Sequence, residues 1–489
     1  MTPSPPVDVV VIGGGPAGSS IGRLLAQWGH SVVILSRETP RARGLAESIP
    51  PSTRKLLSQI GSLDAVEASG FYRTRGNTVW WASREPRVET FGSAPEAEGY
   101  QVLRPDFDRV LLDSAAMAGA DVRSDARVYS VALGDEAASV EYGKGGHRST
   151  IACRMVVDAS GRAGVLGRRF RVPQPGHRMY ALVGVWKRQD SWGLPDETHT
   201  VVETYRDGWA WSVPVSANER HVGAMVGSAI PQDGNPRALA DAYQAEIANT
   251  AQLASRLRGA FLERVWACDA SLYCANRYAG PRFLLAGDAG SFIDPLSSFG
   301  VKKALASAWL GAIVVHTRLG HADREMLASD FFSDWEHRVY AMHLKRSRDF
   351  ARAACAEHAS AFWISRADVE IDASAAADDV DVAHDPDVQR AFEAFKAASR
   401  IDLTLADGIR FARRPVVRGR EIVLEDALAD GMRFVGNVDL VMLARMAGEH
   451  HDVPDLFDAY CQRCPPVPLP SVVGGLSLLV AKGILHERR

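Results

Sequence analysis

Short apolar runs alternate with helical patterns along the first three quarters of the chain. Residues 7–12 (VDVVVI) and 30–35 (HSVVIL) are continuous and rich in β-branched side chains, as expected of strands that are buried on both faces. Between them, Ile21, Leu24 and Leu25 recur at helical spacing. This order of strand, helix and strand predicts a parallel α/β unit at the N-terminus.

Two later segments have the pattern of sheet. Residues 155–162 (MVVDASGR) predict a buried strand that ends in a turn, and residues 198–215 alternate between apolar and polar positions around a predicted hairpin turn at 206–208. Trp209 and Trp211 follow that turn two residues apart, so they face the same side of the strand. Core packing and the wall of a binding pocket are equally open interpretations of this pair.

Another predicted strand leads into a turn and then a helix. Residues 283–286 are apolar, Gly287-Asp288 ends the run, Pro295 interrupts the backbone, and helical spacing begins at Gly300. The unpaired N–H groups at such a helix start carry partial positive charge, which would stabilise the anionic edge of a flat polar cofactor. An ordinary turn after a core strand is the alternative.

A glycine-rich sequence joins the first strand to the first helix. Residues 13–18 contain G-x-G-x-x-G, whose glycines allow a tight turn and let the pyrophosphate of a dinucleotide approach the helix start. The second strand of such a unit ordinarily ends in an acidic residue that binds the adenosine ribose. Ser36 and Arg37 stand there, so the serine hydroxyl or the neighbouring Glu38 is expected to take that role.

The length of 489 residues favours two or three domains. We predict an α/β-plus-β architecture in which a Rossmann-like domain at 1–366 contains an inserted antiparallel-sheet region at about 70–105 and 170–275. An acidic linker with a helix is expected at 367–417, followed by a small, mainly helical, winged-helix-like subdomain at 418–489.

Composition narrows the possible partners. A net charge of −3 without a basic stripe argues against a nucleic-acid partner, and no apolar run is long enough for stable membrane association. The N-terminus lacks a basic signal sequence and six cysteines are too few for a disulfide framework, so we expect a cytoplasmic protein. Cys461 and Cys464 have no second pair at zinc spacing, and we predict no metal site.

Four motifs occur in a characteristic order: GGGPAG (13–18), LRPDFD (103–108), DASGR (158–162) and GDAGSFIDP (287–295). This set resembles the FAD-dependent aromatic hydroxylases and halogenases. Residues 209–214 (WAWSVP) are similar to the W-x-W-x-I-P motif of the flavin-dependent halogenase branch, and residues 46–48 (AES) are similar to its Gly-Glu-Ser loop. The resemblance covers most of residues 7–366.

The resemblance implies FAD as the cofactor. The residues expected to bind it are Gly13, Gly15, Pro16, Ala17, Gly18, Ser36, Arg37, Ala46, Arg104, Asp158, Gly161, Gly287, Asp288, Pro295, Gly300 and Val301. Those expected around the reacting ring are Glu47, Thr74, Trp209, Trp211, Pro295 and Phe299. Glu47 is a candidate for proton handling or ring positioning, and a solvated loop acid is the equal alternative.

The sequence departs from the halogenases where the halogen would be carried. Their lysine, in a Gly-Phe-x-x-Lys-x-Gly context, is replaced by Thr74 within residues 70–76, and threonine has no amine to carry an electrophilic halogen. Phe299, between Ser298 and Gly300, is expected to crowd the halide pocket beside the flavin. Lysine-less relatives hydroxylate, some of them a tryptophan within a partner polypeptide during assembly of tryptophylquinone cofactors.

We therefore expect an FAD-dependent monooxygenase that hydroxylates an electron-rich ring, an indole or tryptophan, through a flavin C4a-hydroperoxide formed with O2. The substrate is expected to be bulky or part of a polypeptide, with Tyr72, Trp80 and Trp81 at a wide mouth. NAD(P)H would supply electrons, directly or through a separate reductase. The alternatives are a flavin-dependent halogenase, a flavin-dependent isoprenoid reductase and a flavin-binding scaffold.

Overall fold

The computed structural model describes residues 6–37, 44–92, 94, 97–227, 235–371, 385–397 and 400–488. They belong to two compact units, divided as residues 1–319 with 332–376 and residues 320–331 with 377–489. Glu38 and residues 372–384 of the predicted acidic linker lie outside the described residues. Within the described ranges, no helix combines the length and the apolar character needed to cross a bilayer.

The first unit contains the larger share of the regular structure. Its strands are β1 Val7–Ile12, β2 Val32–Leu35, β3 Ala46–Ile49, β4 Tyr72–Thr74, β5 Gly76–Trp80, β6 Arg87–Thr90, β7 Gly99–Leu103, β8 Asp121–Arg123, β9 Arg127–Leu133, β10 Ala138–Lys144, β11 His147–Asp158, β12 Arg171–Pro173, β13 Tyr180–Lys187, β14 Thr200–Tyr205, β15 Gly208–Ser216, β16 Glu219–Val226, β17 Phe261–Asp269, β18 Tyr273–Ala275, β19 Ala279–Gly280 and β20 Phe283–Leu285. The helices up to its end are α1 Pro16–Gln27, α2 Arg54–Ile60, α3 Leu63–Ala68, α4 Arg104–Met117, α5 Pro236–Ala248, α6 Gln252–Arg256, α7 Gly300–Gly320, α8 Glu325–Cys355 and α9 Ala361–Ala367.

A mostly parallel sheet forms the centre of the first unit, in the order β19-β20-β11-β1-β2-β8, with β10 and β9 continuing from β11. Residues Val9 to Val11 are 0% exposed, as the β-branched run predicts. Ile12, the last residue of β1, lies beside Leu35 and Asp158 in parallel register, and β20 pairs in parallel with β11. The carboxyl ends of these strands therefore meet at one edge, where α/β sheets bind nucleotides.

A second sheet has the order β17-β13-β16-β15-β14-β5-β6, and all its strands come from the two segments predicted to insert a sheet. The predicted hairpin is β14 and β15, with Trp209 beside Thr204 and Trp211 beside Val202. Only β14 and β5 pair in parallel; the other pairs are antiparallel. Successive residues of these strands belong to two different apolar clusters, so both faces of the sheet are covered: Ala181, Trp209 and Met225 pack on one face, and Leu182, Ala210 and Ala224 on the other.

A small three-stranded sheet, β3-β7-β4, completes the framework of the first unit. It places Glu47 beside Val102 and Thr74 beside Gly99. β7 runs directly into α4, so Arg104 is the first residue of that helix, with Pro105 in its first turn. The predicted loop at 46–48 is thus a strand whose position is fixed by pairing.

The second unit is built from α10 Pro386–Ala397, β21 Leu403–Leu405, β22 Ala412–Arg418, β23 Glu421–Ala427, β24 Phe434–Val435, β25 Val438–Asp439, α11 Leu440–Met446, α12 Val453–Arg463, α13 Leu469–Ala481 and β26 Leu485–Glu487. β22 pairs with β23, β21 with β26 and β24 with β25, each antiparallel. Leu440, Leu456 and Leu476 of the last three helices pack in one apolar core. The likeness to a winged helix stays a prediction.

The second unit begins earlier along the chain than the predicted subdomain at 418–489. Val388 of α10 and Leu403 of β21 are buried in its core, with Phe392 and Phe395 packed against it. The helical spacing of Val388, Phe392 and Phe395 gives α10 an apolar face, which the acidic composition around it concealed. A boundary at 418 would also divide the β22–β23 hairpin.

Candidate functional site

A cavity of about 1000 Å³ lies in the first unit between the carboxyl edge of the parallel sheet and the face of the second sheet that carries Ala181, Trp209 and Met225. Its polar half is lined by Gly13, Gly14, Gly15, Pro16, Ala17, Ser36, Arg37, Arg104, Asp108, Ser160, Gly161, Arg162 and Asp288. Its apolar arm is lined by Ala181, Val202, Trp209, Trp211, Val213, Met225, Cys268, Ala270, Phe292, Ile293 and Leu296. One cavity therefore joins a nucleotide-type site to an apolar site.

Most of the predicted site residues line this cavity. They are Gly13, Gly15, Pro16, Ala17, Ser36, Arg37, Ala46, Glu47, Arg104, Gly161, Trp209, Trp211, Asp288, Pro295, Gly300 and Val301. The residues that the structure places elsewhere are Gly18, Thr74, Asp158, Gly287 and Phe299.

The glycine-rich loop forms the floor of the polar half. Gly15 precedes α1 and Pro16 begins it, so the first N–H groups of the helix lie at the cavity, an arrangement that binds phosphate. A Cβ on Gly14 would lie 2.4 Å from Ser36 Oγ, so the bare backbone is needed there. A Cβ on Gly18 would lie 1.9 Å from the Gly13 carbonyl oxygen, so Gly18 allows the helix to pack on the strand instead of contacting a ligand.

Arg104 is held between two carboxylates. Its Nε and Nη2 donate to Asp108 Oδ1 and Oδ2 at 3.0 and 3.2 Å, and its Nη1 donates to Glu47 Oε2 at 2.8 Å. Burial favours the neutral guanidine, but the charges of Asp108 and Glu47 outweigh it and raise the pKa of Arg104 above its ordinary value. The guanidinium is therefore a fixed cation that orients Glu47.

Glu47 lies beside the start of α7, since a Cβ on Gly300 would be 3.5 Å from Glu47 Oε1. The strand that carries it is also held from behind, because the Ala46 N–H donates to Nδ1 of the fully buried His221 at 3.1 Å. With Nδ1 accepting, the neutral ring carries its proton on Nε2, which lies 3.6 Å from Glu219 Oε1. Glu47 is thus an oriented cavity carboxylate and not a solvated loop acid.

The apolar arm depends on the two predicted tryptophans. Trp209 is 3% exposed, and both indoles line the cavity from the same face of β15. The ring of Trp211 lies across Gly223 of β16, where a Cβ would come within 2.4 Å of Trp211 Cε2. Any larger residue at 223 would push the indole into the arm.

Two predicted cofactor ligands support the loops of the site from behind. Asp158 is 0% exposed and accepts hydrogen bonds from the Ser160 N–H at 3.0 Å, the Leu166 N–H at 2.6 Å and the Gly167 N–H at 2.9 Å. A carboxylate already saturated by loop N–H groups shapes the loop and does not reach the cavity. Gly287 has φ +61°, and its Cβ would lie 3.0 Å from that of Ala17, so it too is a packing position.

Phe299 is not among the residues that line the cavity, and the crowding of a halide pocket by its ring stays a prediction. The Phe299 ring lies 5.6 Å from the His343 ring, and Lys302 Nζ and Arg346 Cζ lie 4.9 and 5.3 Å from its centroid. Ser298, on the other side of the turn, lines the cavity instead. An apolar ring is better satisfied between α7 and α8 than at a polar loop.

Thr74 also lies away from the cavity. It is fully buried in β4, and its hydroxyl donates to the Gly76 carbonyl at 3.1 Å. Its Cγ2 lies 2.9 Å from the position that a Cβ would take on Gly99. Position 74, where the halogenases carry their lysine, is therefore tightly packed in this chain.

The predicted aromatic mouth does not form around the large cavity. Trp80 is packed in the core beside Trp192 and Val201, and Trp81 packs at 5.6 Å from Trp363. Tyr72 lines a separate, more open cleft of about 910 Å³.

Sequence reasoning missed Asp108, His221 and the strand residues that complete the arm. Asp108 stands four residues after Arg104 on α4, a helical ion-pair spacing that could have revealed it. His221 and Met225 gave no local signal, because they reach the site through the pairing of β16 with its neighbours.

Comparisons with known proteins identify the family of the chain. A family model described as an FAD binding domain matches residues 6–330. A tryptophan 2-halogenase of Chondromyces crocatus is 28% identical over 347 residues, which cover 69% of this chain and 66% of that protein. The chain therefore matches about two thirds of the length of that relative.

Two solved structures extend the comparison to nearly the whole chain. CmlS, described as a flavin-dependent halogenase, has a TM-score of 0.78 and 22% identity, covering 99% of this chain and 96% of that one. QhpG, described as a peptidyl tryptophan dihydroxylase essential for tryptophylquinone cofactor biogenesis, has a TM-score of 0.69 and 21% identity, covering 98% and 100%. At these identities the likenesses establish the fold alone: a Rossmann-type flavoprotein fold with mixed and antiparallel sheets.

Proposed function

This chain belongs to the FAD-binding-domain family of flavoproteins and to its halogenase-like branch, and from that premise we propose that it hydroxylates an electron-rich aromatic ring held in the apolar arm. FAD binding follows from the family, whereas the kind of ring and the atom that is transferred depend on the residues of the cavity.

The polar half of the cavity fits FAD. The start of α1 offers N–H groups to the pyrophosphate, and the bare glycine backbone leaves room for it. Ser36 and Arg37 lie at the end of β2, where the adenosine ribose binds in this fold. Asp288 lines the cavity beside α7 and can accept hydrogen bonds from the ribityl hydroxyls.

When bound and reduced, FAD supplies the activation of O2 that delivers an electrophilic oxygen to the substrate. The apolar arm excludes water and holds the ring. Glu47, oriented by Arg104, would take the ring proton at Oε1, the oxygen that lies beside the start of α7. Electrons from NAD(P)H, supplied directly or through a separate reductase, complete the proposed reaction.

The lining of the arm supports an uncharged ring as substrate. The arm residues named above are uncharged, so an uncharged ring packs against them without burying an unpaired charge, and the carboxylate that the proposal places beside the ring is that of Glu47. An indole or phenol ring, free or carried by a polypeptide, suits this lining better.

Taken alone, the comparisons support halogenation better than hydroxylation, because relatives described as halogenases dominate them. Halogenation of an aromatic ring is therefore the second candidate function.

One observation carries the choice of hydroxylation. Every lysine of the sequence lies within the described ranges, and none lines the cavity. The halogenase-lysine position is Thr74, buried and packed elsewhere. Without a primary amine to receive an electrophilic halogen, direct oxygen transfer to the ring has no competing carrier in the cavity.

Mass spectrometry of the product tests this choice. The purified holoenzyme, a flavin reductase and NADH are incubated under ¹⁸O2 with excess chloride and bromide, using indole, 4-methylphenol and a tryptophan-containing peptide as probes. We expect a product that gains one labelled oxygen and no halogen, and the same product without halide. A halogenated product without labelled oxygen would refute hydroxylation and establish the second candidate.

A further inference from the structure

A lysine is buried directly behind the loop that presents Asp288 to the cavity. Lys303 of α7 is 3% exposed, and its Nζ donates to the carbonyl oxygens of Gly287, at 3.0 Å, and Ser291. The same Nζ lies 3.9 Å from Asp288 Oδ1. Burying an ammonium is costly unless it is partnered, so these contacts fix both the lysine and the loop.

A buried glutamate reaches the same loop from α8. Glu336 is 0% exposed, and its Oε1 accepts a hydrogen bond from the Ser307 hydroxyl. The Ser307 hydroxyl in turn accepts from the Gly287 N–H at 2.9 Å. Gly287 is therefore held at its carbonyl by Lys303 and at its N–H, through Ser307, by Glu336.

The loop held in this way contacts the glycine-rich floor of the FAD site. Gly287 is in the left-handed backbone region at φ +61°, and a Cβ there would lie 3.0 Å from the Cβ of Ala17 and 3.5 Å from that of Ala304. The backbone at 287 is thus confined between α1 and α7. The contacts of Lys303 and Glu336 therefore connect two buried charges to the loop that presents Asp288 to the polar half.

The other ionisable groups around the pair can be named. Glu336 is faced by Lys303, Asp288 and Tyr278. Lys303 is also faced by His343, whose pKa is lowered to about 4 by burial and the nearby cations, so that this imidazole is neutral near pH 7. The charge of the cluster near pH 7 is therefore set by Lys303, Asp288 and the protonation of Glu336.

We propose that Lys303 is a positioning residue of the FAD site, acting through the Gly287–Ser291 loop, and that Glu336 sets how much of its positive charge reaches the bound cofactor. Reduced FAD is an anion, so a nearby buried cation favours the reduced over the oxidised form. Removing Lys303 should lower the reduction potential of bound FAD. Removing the charge of Glu336 should raise it.

The inference rests on FAD binding and not on whether oxygen or halogen is transferred, so it can fail while the proposed chemistry holds. Burial raises the pKa of Glu336 to about 7, with Lys303 opposing the rise. The carboxyl is thus mostly ionised at pH 8 and mostly neutral at pH 6. The effect of removing its charge should therefore appear at pH 8 and vanish at pH 6.

The test compares Lys303→Met with Lys302→Met in the FAD-loaded enzyme. Lys302 is the preceding residue of α7 and donates to Ser52 Oγ at 3.1 Å, so its replacement makes the same charge change at a side chain that is directed to Ser52. We expect Lys303→Met to weaken the binding of reduced FAD at least tenfold more than that of oxidised FAD, which lowers the two-electron potential by about 30 mV. Equal potentials in the two variants would overturn the proposal.

Glu336→Gln provides the second measurement, and it stands even if Lys303→Met does not fold. The amide keeps an oxygen acceptor for Ser307 while removing the charge. We expect a potential above that of wild type at pH 8 and equal to it at pH 6, from spectroelectrochemical titrations of the bound flavin. An unchanged or lower potential at pH 8, or a shift of the same size at both pH values, would overturn the assignment.

Discussion

The buried Glu336 should make the first unit less stable as pH rises. Its pKa is raised by burial from 4.5 to about 7. Between these values the native carboxyl keeps a proton that the unfolded chain has released, so unfolding releases a proton and is favoured by higher pH. This pKa shift corresponds to a loss of about 3 kcal/mol in the free energy of unfolding. The loss is present in full above pH 7 and absent below pH 4.5.

Glu336→Gln removes this dependence because the amide does not ionise. We expect the variant and the wild type to be about equally stable near pH 5, and the variant to be more stable by up to about 3 kcal/mol at pH 8. The direction is unusual, since most substitutions of a fully buried residue destabilise a protein. It follows here from the cost of a buried carboxylate.

Urea unfolding followed by tryptophan fluorescence measures this difference. All the tryptophans fall between Trp28 and Trp363, within the residue ranges of the first unit, so the signal does not report on the second unit. Titrations at pH 5, 6, 7 and 8 are run at one fixed excess of FAD, because ligand binding alters apparent stability. The exposed Glu136→Gln serves as the control. A difference between Glu336→Gln and wild type that is the same at every pH would refute the reasoning.

Two further substitutions test the site. Gly15→Val should yield folded protein without bound FAD, because the larger side chain enters the pyrophosphate site. Gly15→Ala should retain most of the FAD, because a Cβ at position 15 would lie 3.7 Å from its nearest neighbour, Asp108 Oδ2. Full FAD occupancy in the valine variant, measured by flavin absorbance, would contradict the binding assignment. Thr74→Lys should destabilise the protein by about 1–3 kcal/mol, because position 74 is packed against Gly99. The variant should yield no halogenated product, because position 74 lies away from the cavity. Halogenation by this variant in the mass-spectrometric assay would show that the lysine can reach the substrate.

The parts of the site that the sequence predicted are those encoded by neighbouring residues. The glycine-rich loop, the turn at 287–288 and the tryptophan pair each combine a strand, a turn and a fixed spacing, and local geometry then determines where they lie. The place of Phe299 shows the complementary case. Its neighbours in sequence line the cavity, but the direction of its own side chain is set by His343 and Arg346 on a helix that sequence spacing does not bring close.

Local sequence patterns could not predict the contacts that orient the site. Glu47 and Arg104 meet only because β3 pairs with β7, and Lys303 and Glu336 only because α7 and α8 both pack behind one loop. Long-range polar contacts of this kind have no periodicity. The same limit applies to the second unit, where α10 joins a core whose other helices lie more than forty residues further along the chain.

The strand order of the first unit also bears on how the protein is made. β1 pairs with β11 near residue 156, β5 with β14 near residue 201, and the last segment of the FAD site is complete only at Val301. At about 5–20 residues per second, a ribosome takes roughly 15–60 s to pass from the first strand to that point. During this interval the emerging chain carries unpaired apolar strands and no complete FAD site, so bound FAD cannot stabilise the first unit until the segment up to Val301 has been made.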